Sequence, residues 1–184
     1  MLLLLWIIGG CATTVQPGKP FSDSERRFFD DSIDVVEDIN ALQGQFGFEA
    51  REDVDARSNL ADVIAIVDIL SVNTSVGAGG QKEMRLDVQV QEVIYGEVTS
   101  HQIQLRSNVN ALGYRLLERY QAALNGTKVL FMRTFPLTDG EVGVGHHFHL
   151  SPNSPSVLKE VAHLIKKRTE AESGKEEKRK AEKK

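Results

Sequence analysis

The chain has 184 residues, of which 41% are hydrophobic, 26% charged and 7% aromatic. That length suits one domain with appendages, and its many Val, Ile and Leu residues exclude a wholly disordered chain. A single cysteine excludes a disulfide framework and any metal site built on two or four cysteines. Residues 1–165 carry 13 Lys+Arg against 21 Asp+Glu, whereas residues 166–184 carry 9 against 5. So acidic a body argues against general nucleic-acid binding.

Residues 1–10 read MLLLLWIIGG, with an apolar run of seven from Leu2 to Ile8. A membrane-spanning helix needs about 20 such residues, so the run matches the h-region of a secretory signal peptide instead. Gly9 and Gly10 follow, and then Cys11. Ile8-Gly9-Gly10-Cys11 resembles the lipobox of bacterial lipoproteins: an aliphatic residue, two small ones and the cysteine to be modified. The resemblance implies a diacylglyceryl thioether on Cys11, cleavage of residues 1–10, and acylation of the new amino terminus, with palmitate among the chains. Ala12, rather than Asp, follows the cysteine, which in enterobacterial lipoproteins implies the outer membrane, with the domain facing the periplasm. One departure is the lack of Lys or Arg before the run, which points to a start upstream of Met1. The plainer alternative is a buried strand ending in an ordinary buried cysteine.

Residues 11–23 form the expected tether; ATTVQPGKPFSDS, from Ala12 to Ser24, is small, polar and broken by Pro17 and Pro20. Thirteen flexible residues average roughly 20 Å end to end. Residues 24–165 then read as a single α/β domain in the periplasm, with a strand core over about 60–150. Within it, Ser22 to Leu42 fits an amphipathic helix capped by Ser24, with Phe29, Ile33, Val36 and Ile39 or Asn40 on one face. Asp30, Asp31, Asp34, Glu37 and Asp38 fall on the other. Such a cluster can bind Ca²⁺, but the spacing of a calcium loop is missing, so a solvated helix face is expected. Gln43 to Phe48 breaks the pattern with two glycines.

Strands follow. Ala61 to Val72, ADVIAIVDILSV, is apolar on both alternating faces, as a central strand is. Glu83 to Tyr95 alternates, with Leu86, Val88 and Val90 inward, until the phase slips at Val93-Ile94, predicting a bulge before Gly96. His101 to Arg106 is a third strand with Ile103 and Leu105 inward. Asn110 to Leu124 fits a helix presenting Leu112, Leu116, Tyr120 and Leu124 (or Ala123) to the core. Thr127–Phe135 and Glu141–Leu150 read as strands four and five around an Asp139-Gly140 turn. Ser154 caps a last helix with Pro155 at its first position, and Val157, Leu158, Val161, Leu164 and Ile165 form its apolar face.

Five strands with a helix between the third and fourth is the element order of the OB-fold. ADVIAIVDILSV, EVIYGEV and KVLFMRTF also look like OB-like exported bacterial domains, which pair an "ADV…V" strand with an "EVLKG"-type strand end. Tyr95 stands where that pattern has Lys, and the fifth strand is poor in aliphatic residues, which argues against a closed barrel. The expected fold class is therefore α+β: a five-stranded OB-like antiparallel barrel or curled sheet, with an N-terminal, an inserted and a C-terminal helix.

The metal-like constellation is His146-His147-Phe148-His149. Residues two apart on a strand share a face, so His147 and His149 are the weak metal candidates, with His146 facing away. A catalytic zinc needs a third ligand, and His163, Asp139, Glu141 and His101 are all open; polar histidines on an edge strand explain the motif without metal. No G-x-S-x-G occurs, and the glycines from Gly77 to Gly80 lack the Lys-Ser/Thr of a phosphate loop. Residues 166–184 read as a charged, disordered tail interrupted at Gly174, with electrostatic attachment to peptidoglycan or lipid phosphate as the functional alternative. Lys183-Lys184 also resembles the end of the murein lipoprotein. The expectation is a membrane-anchored lipoprotein that binds or scaffolds in the cell envelope, without cofactor or catalysis. Its partners would be the membrane, through Cys11, and peptidoglycan or another envelope protein.

Overall fold

The computed structural model describes residues 20–36, 42, 44–76, 80–136 and 144–181. In chain order the elements are β1 (Ser32–Ile33), α1 (Gly44–Leu60), β2 (Val63–Val76), β3 (Lys82–Tyr95) and β4 (Gln102–Asn108). There follow α2 (Tyr114–Arg119) with a 3₁₀ turn (Gln121–Leu124), β5 (Thr127–Pro136), β6 (Val144–Pro152) and α3 (Pro155–Ala181). They form an α+β fold around one curled, mixed sheet of six strands in the order β1-β6-β5-β2-β3-β4. All neighbours are antiparallel except β1 and β6. Among the described residues the two ends of the sheet do not pair, so it is a half-barrel.

The central strands β2 and β5 explain why their sequences are apolar on both faces. Val63, Ala65, Val67, Leu130 and Met132 pack into the concave core with Leu86, Val88, Leu105, Leu117 and Phe148. Ile64, Val129 and Phe131 pack on the other face beneath α1 and α3, against Val54, Val157 and Val161. In β3 the predicted inward set, Leu86, Val88 and Val90, is buried. The phase slip is a bulge: Ile64 pairs with Tyr95 and Ala65 with Val93, leaving Ile94 unpaired. Further shifts along the β2–β3 ladder add local twist, which helps to curl the sheet. Gly96 follows at φ +79°, and a Cβ there would collide with the Asp62 carbonyl oxygen. The glycine of EVIYGEV is thus required twice, by conformation and by space.

Four expectations are corrected. Ser22 to Leu42 is not a helix; its described part turns over Asp23–Phe28, then extends as β1 beside β6. Ile33, Val35 and Val36 favour extended chain, and Asp30, Asp31 and Asp34 find partners on β6 that a solvated helix face would forgo. The helix lies further on, as α1, whose inner stripe of Ala50, Val54 and Ala56 is too thin to register as amphipathic. α2 buries Tyr114 and Leu117, leaving Leu112, Leu116 and Tyr120 exposed. Gly113 sets this rotation: its N–H donates to the Asp30 carbonyl, and it packs against Ser32 too closely for any Cβ. Finally, the tail from residue 166 is helical to Ala181. Gly174 costs about 1 kcal/mol relative to Ala, which neighbouring Glu, Lys, Arg and Ala, all good helix formers, offset.

α3 begins as predicted, with the Ser154 hydroxyl accepting the Val157 N–H and Pro155 first in the helix. Cys11, residues 1–19 and the Asp139-Gly140 turn lie outside the described residues. Among the described residues no helix is long and apolar enough to cross a membrane.

Candidate functional site on strand β6

Strand β6 alternates as the period of two requires. Phe148 and Leu150 enter the concave core, whereas His147, His149 and Ser151 reach the β1 segment and Arg57 of α1. His147 and His149 thus share a face, yet they do not converge on a common point. His149 Nδ1 lies 2.8 Å from Asp30 Oδ1 and its Nε2 2.9 Å from Asp34 Oδ1. Ionised carboxylates only accept, so both ring nitrogens donate and His149 is an imidazolium. His147 Nδ1 lies 2.8 Å from Asp31 Oδ2, and its ring sits 4.5 Å from Phe21 and 5.1 Å from Phe135 between centroids.

The cluster is buried and electrostatically matched. Arg57 Nη1 donates to Asp34 Oδ2 at 3.0 Å, Ser151 Oγ donates to the same oxygen at 2.6 Å, and Arg57 Nε donates to the Phe28 carbonyl at 3.2 Å. Burial pushes the Asp34 carboxyl up, but the charges of His149 and Arg57 outweigh it and hold the group well below the usual carboxylate range. For His149, burial and Arg57 both oppose the proton; Asp34 and Asp30 prevail, and its pKa is raised. Asp31 holds φ 55°, a sparsely populated conformation for a residue with a side chain. Three bonds keep it there: its N–H donates to the Phe148 carbonyl, while its carboxylate accepts the Phe148 N–H and faces His147.

Such an arrangement clamps β1 to β6. It leaves neither nitrogen of His149 for a metal, and among the described residues no group of three or more His, Cys, Asp or Glu is placed to hold one. Of the open third ligands, His101 and His163 are exposed elsewhere, and Asp139 and Glu141 lie outside the described residues. Sequence patterning grouped Asp30, Asp31 and Asp34 but set them on a solvated helix face, and it missed Arg57. A usable signal was the complementarity of three aspartates beside β-branched residues and a histidine-rich strand far along the chain.

On the opposite face His146 lines the gap between β6 and β4 together with Ile103, and burial lowers its pKa. It thus lies at the seam where the half-barrel fails to close. Beside it lies a cavity of about 390 Å³ between the β3–β4 turn and the start of β6. Val63 and Met132 from the core line it, with Val98, Ile103, Asp62, Glu97 and Thr134. A second cavity of about 460 Å³ lies over Asp30, Asp34, Arg57 and His149, but the polar groups at its base are already paired with one another. Comparison of the chain with protein-family models, curated proteins and solved structures gave no match.

Proposed function

We propose that this protein is a lipid-anchored component of the bacterial cell envelope, held through Cys11 to the outer membrane and facing the periplasm. Its domain acts as a binding or scaffolding module without chemistry of its own. The observation that carries the anchor is Ile8-Gly9-Gly10-Cys11 directly after the apolar run Leu2–Ile8. The OB kinship of the domain belongs to the same proposal. The strand order β6-β5-β2-β3-β4, with α2 between β4 and β5, matches an OB barrel opened between its third and fifth strands. OB-fold domains bind ligands, and the open seam beside His146 supplies a concave, mainly apolar place for one. Peptidoglycan or another envelope protein is the partner such a tethered domain would reach. A metal-binding role for His146, His147 and His149 has less support, because His149 spends both nitrogens on carboxylates.

Membrane fractionation with intact-mass analysis tests the anchor. Protein made in a bacterial host should sediment with membranes and carry the mass of an acylated Cys11 amino terminus. An unmodified amino-terminal peptide on membrane-bound protein would sink the proposal.

A further inference from the structure

The seam cavity has a chemical preference written in its charges. Its inner wall is apolar, with Met132 in the core and Ile103 packed against it; Val144 stands exposed at its mouth. Asp62 and Glu97 supply its carboxylates. Asp62 is held by one oxygen alone: Oδ2 accepts from Arg133 Nη1 at 2.5 Å, from the Thr134 N–H at 2.8 Å and from the Thr134 hydroxyl at 3.1 Å. That fixes the carboxylate and leaves Oδ1 as an acceptor at a side chain 32% exposed. Arg133 does not neutralise the site, because Glu25 Oε1 shares it at 3.0 Å. Two carboxylates thus share one guanidinium, and among the described residues no cation pairs with Glu97. His146 also lines the cavity, and burial lowers its pKa, which disfavours its charged form.

We infer that this cavity binds a small ligand with an apolar body and a protonated amine head, the body lying on Ile103, Met132 and Val144 and the ammonium on Asp62 and Glu97. An ammonium has three donors and no acceptor, which suits a rim of carboxylate and imidazole acceptors. An anionic head would meet the like charge of Asp62 and Glu97. The cavity also falls within the usual size of small-molecule sites. This inference deepens the binding-module reading and is independent of the lipid anchor.

Hexylammonium, hexanol and hexanoate are the probes, titrated separately into the full-length chain carrying Cys11→Ser, which keeps it free of lipid. Amide chemical shifts of Ile103, Thr134 and His146 report occupancy. Hexylammonium should bind at least about tenfold more tightly than hexanoate, roughly 1.4 kcal/mol, and the margin should shrink as salt is raised. Glu97→Gln, an exposed change, should lower hexylammonium affinity about threefold and leave hexanol unaffected. Val144→Trp should fill the mouth and abolish binding of hexylammonium and hexanol alike. Equal or tighter hexanoate binding, binding indifferent to Val144→Trp, or no shift with any probe would overturn the inference. Each of those results leaves the membrane fractionation of native protein untouched, so the two proposals fail separately.

Discussion

His149 carries two carboxylates on its two nitrogens, and this makes it the residue on which the N-terminal edge of the sheet depends. His149→Gln should leave Asp34 facing Arg57 alone and take from Asp30 its imidazolium partner. Breaking a buried charge pair from one side costs about 3–5 kcal/mol, and denaturant unfolding should show a loss of that order. His147→Gln should cost less, because that ring is a quarter exposed and has a single carboxylate partner. The pH dependence has a definite sign. The pKa of His149 is raised on folding, so its contribution is complete below its ordinary value of about 6.5 and fades as pH rises through the folded value. His146, lowered by burial, acts oppositely, and its penalty enters below about 6.5. Asp34, held down by His149 and Arg57 against burial, contributes above about 3.9 and loses that contribution as pH falls. The difference between the parent and His149→Gln, measured by urea unfolding from pH 5 to 9, carries the His149 titration and should narrow toward alkaline pH. A difference that widens toward pH 9 would show that His149 is neutral in the fold.

At the level of elements, α3 is where charge and structure meet. Arg168 Nη1 donates to the carbonyls of Ser58 and Ala61 at 3.0 and 2.9 Å, ending α1, and its guanidinium stacks 4.0 Å from the Tyr95 ring centroid. Truncation after Ser173 should therefore leave stability within about 0.5 kcal/mol, as changes to exposed surface do. Truncation after Ile165 removes Arg168 and should cost about 1–3 kcal/mol, from two bonds to a charged donor and one cation–π contact. Equal melting temperatures for the two truncations would mean that the second half of α3 is only appended. In β3, Val88→Asp should cost several kcal/mol while Gln89→Thr stays near neutral, because Val88 is fully buried and Gln89 is not. The strands were legible because burial imposes a period of two on Leu86, Val88 and Val90, and apolarity on both faces of β2. Helices were less legible. α1 buries Val54, Arg57 and Ser58 rather than a Leu stripe, and α2 is rotated by a backbone contact at Gly113 that no periodicity encodes. The acidic run at Asp30–Asp34 has a helical spacing, but its energy comes from partners more than a hundred residues away. The site was half legible for the same reason: His147 and His149 were placed on one face, and their carboxylates were placed in solvent.

For the whole molecule, the proposed anchor and the fold make separable demands on the chain. Among the described residues Phe21 is the first with a packing partner, its ring 4.5 Å from His147 and 5.4 Å from Phe135. As the proposed tether, the ten residues from Cys11 to Pro20 would average roughly 18 Å end to end, long enough to hold the domain near a surface without transmitting force to it. Each buried methylene of an acyl chain contributes about 0.8 kcal/mol of membrane affinity, and two or more chains make attachment durable. Replacing Cys11 with Ser removes the sulfur to which they would be joined. The variant should leave the membrane fraction, while its melting temperature and urea midpoint match those of the detergent-extracted parent. Loss of both membrane attachment and stability would place residues 11–20 within the fold, and with them the alternative in which Cys11 ends a buried strand. Retention of both would remove Cys11 from the attachment altogether.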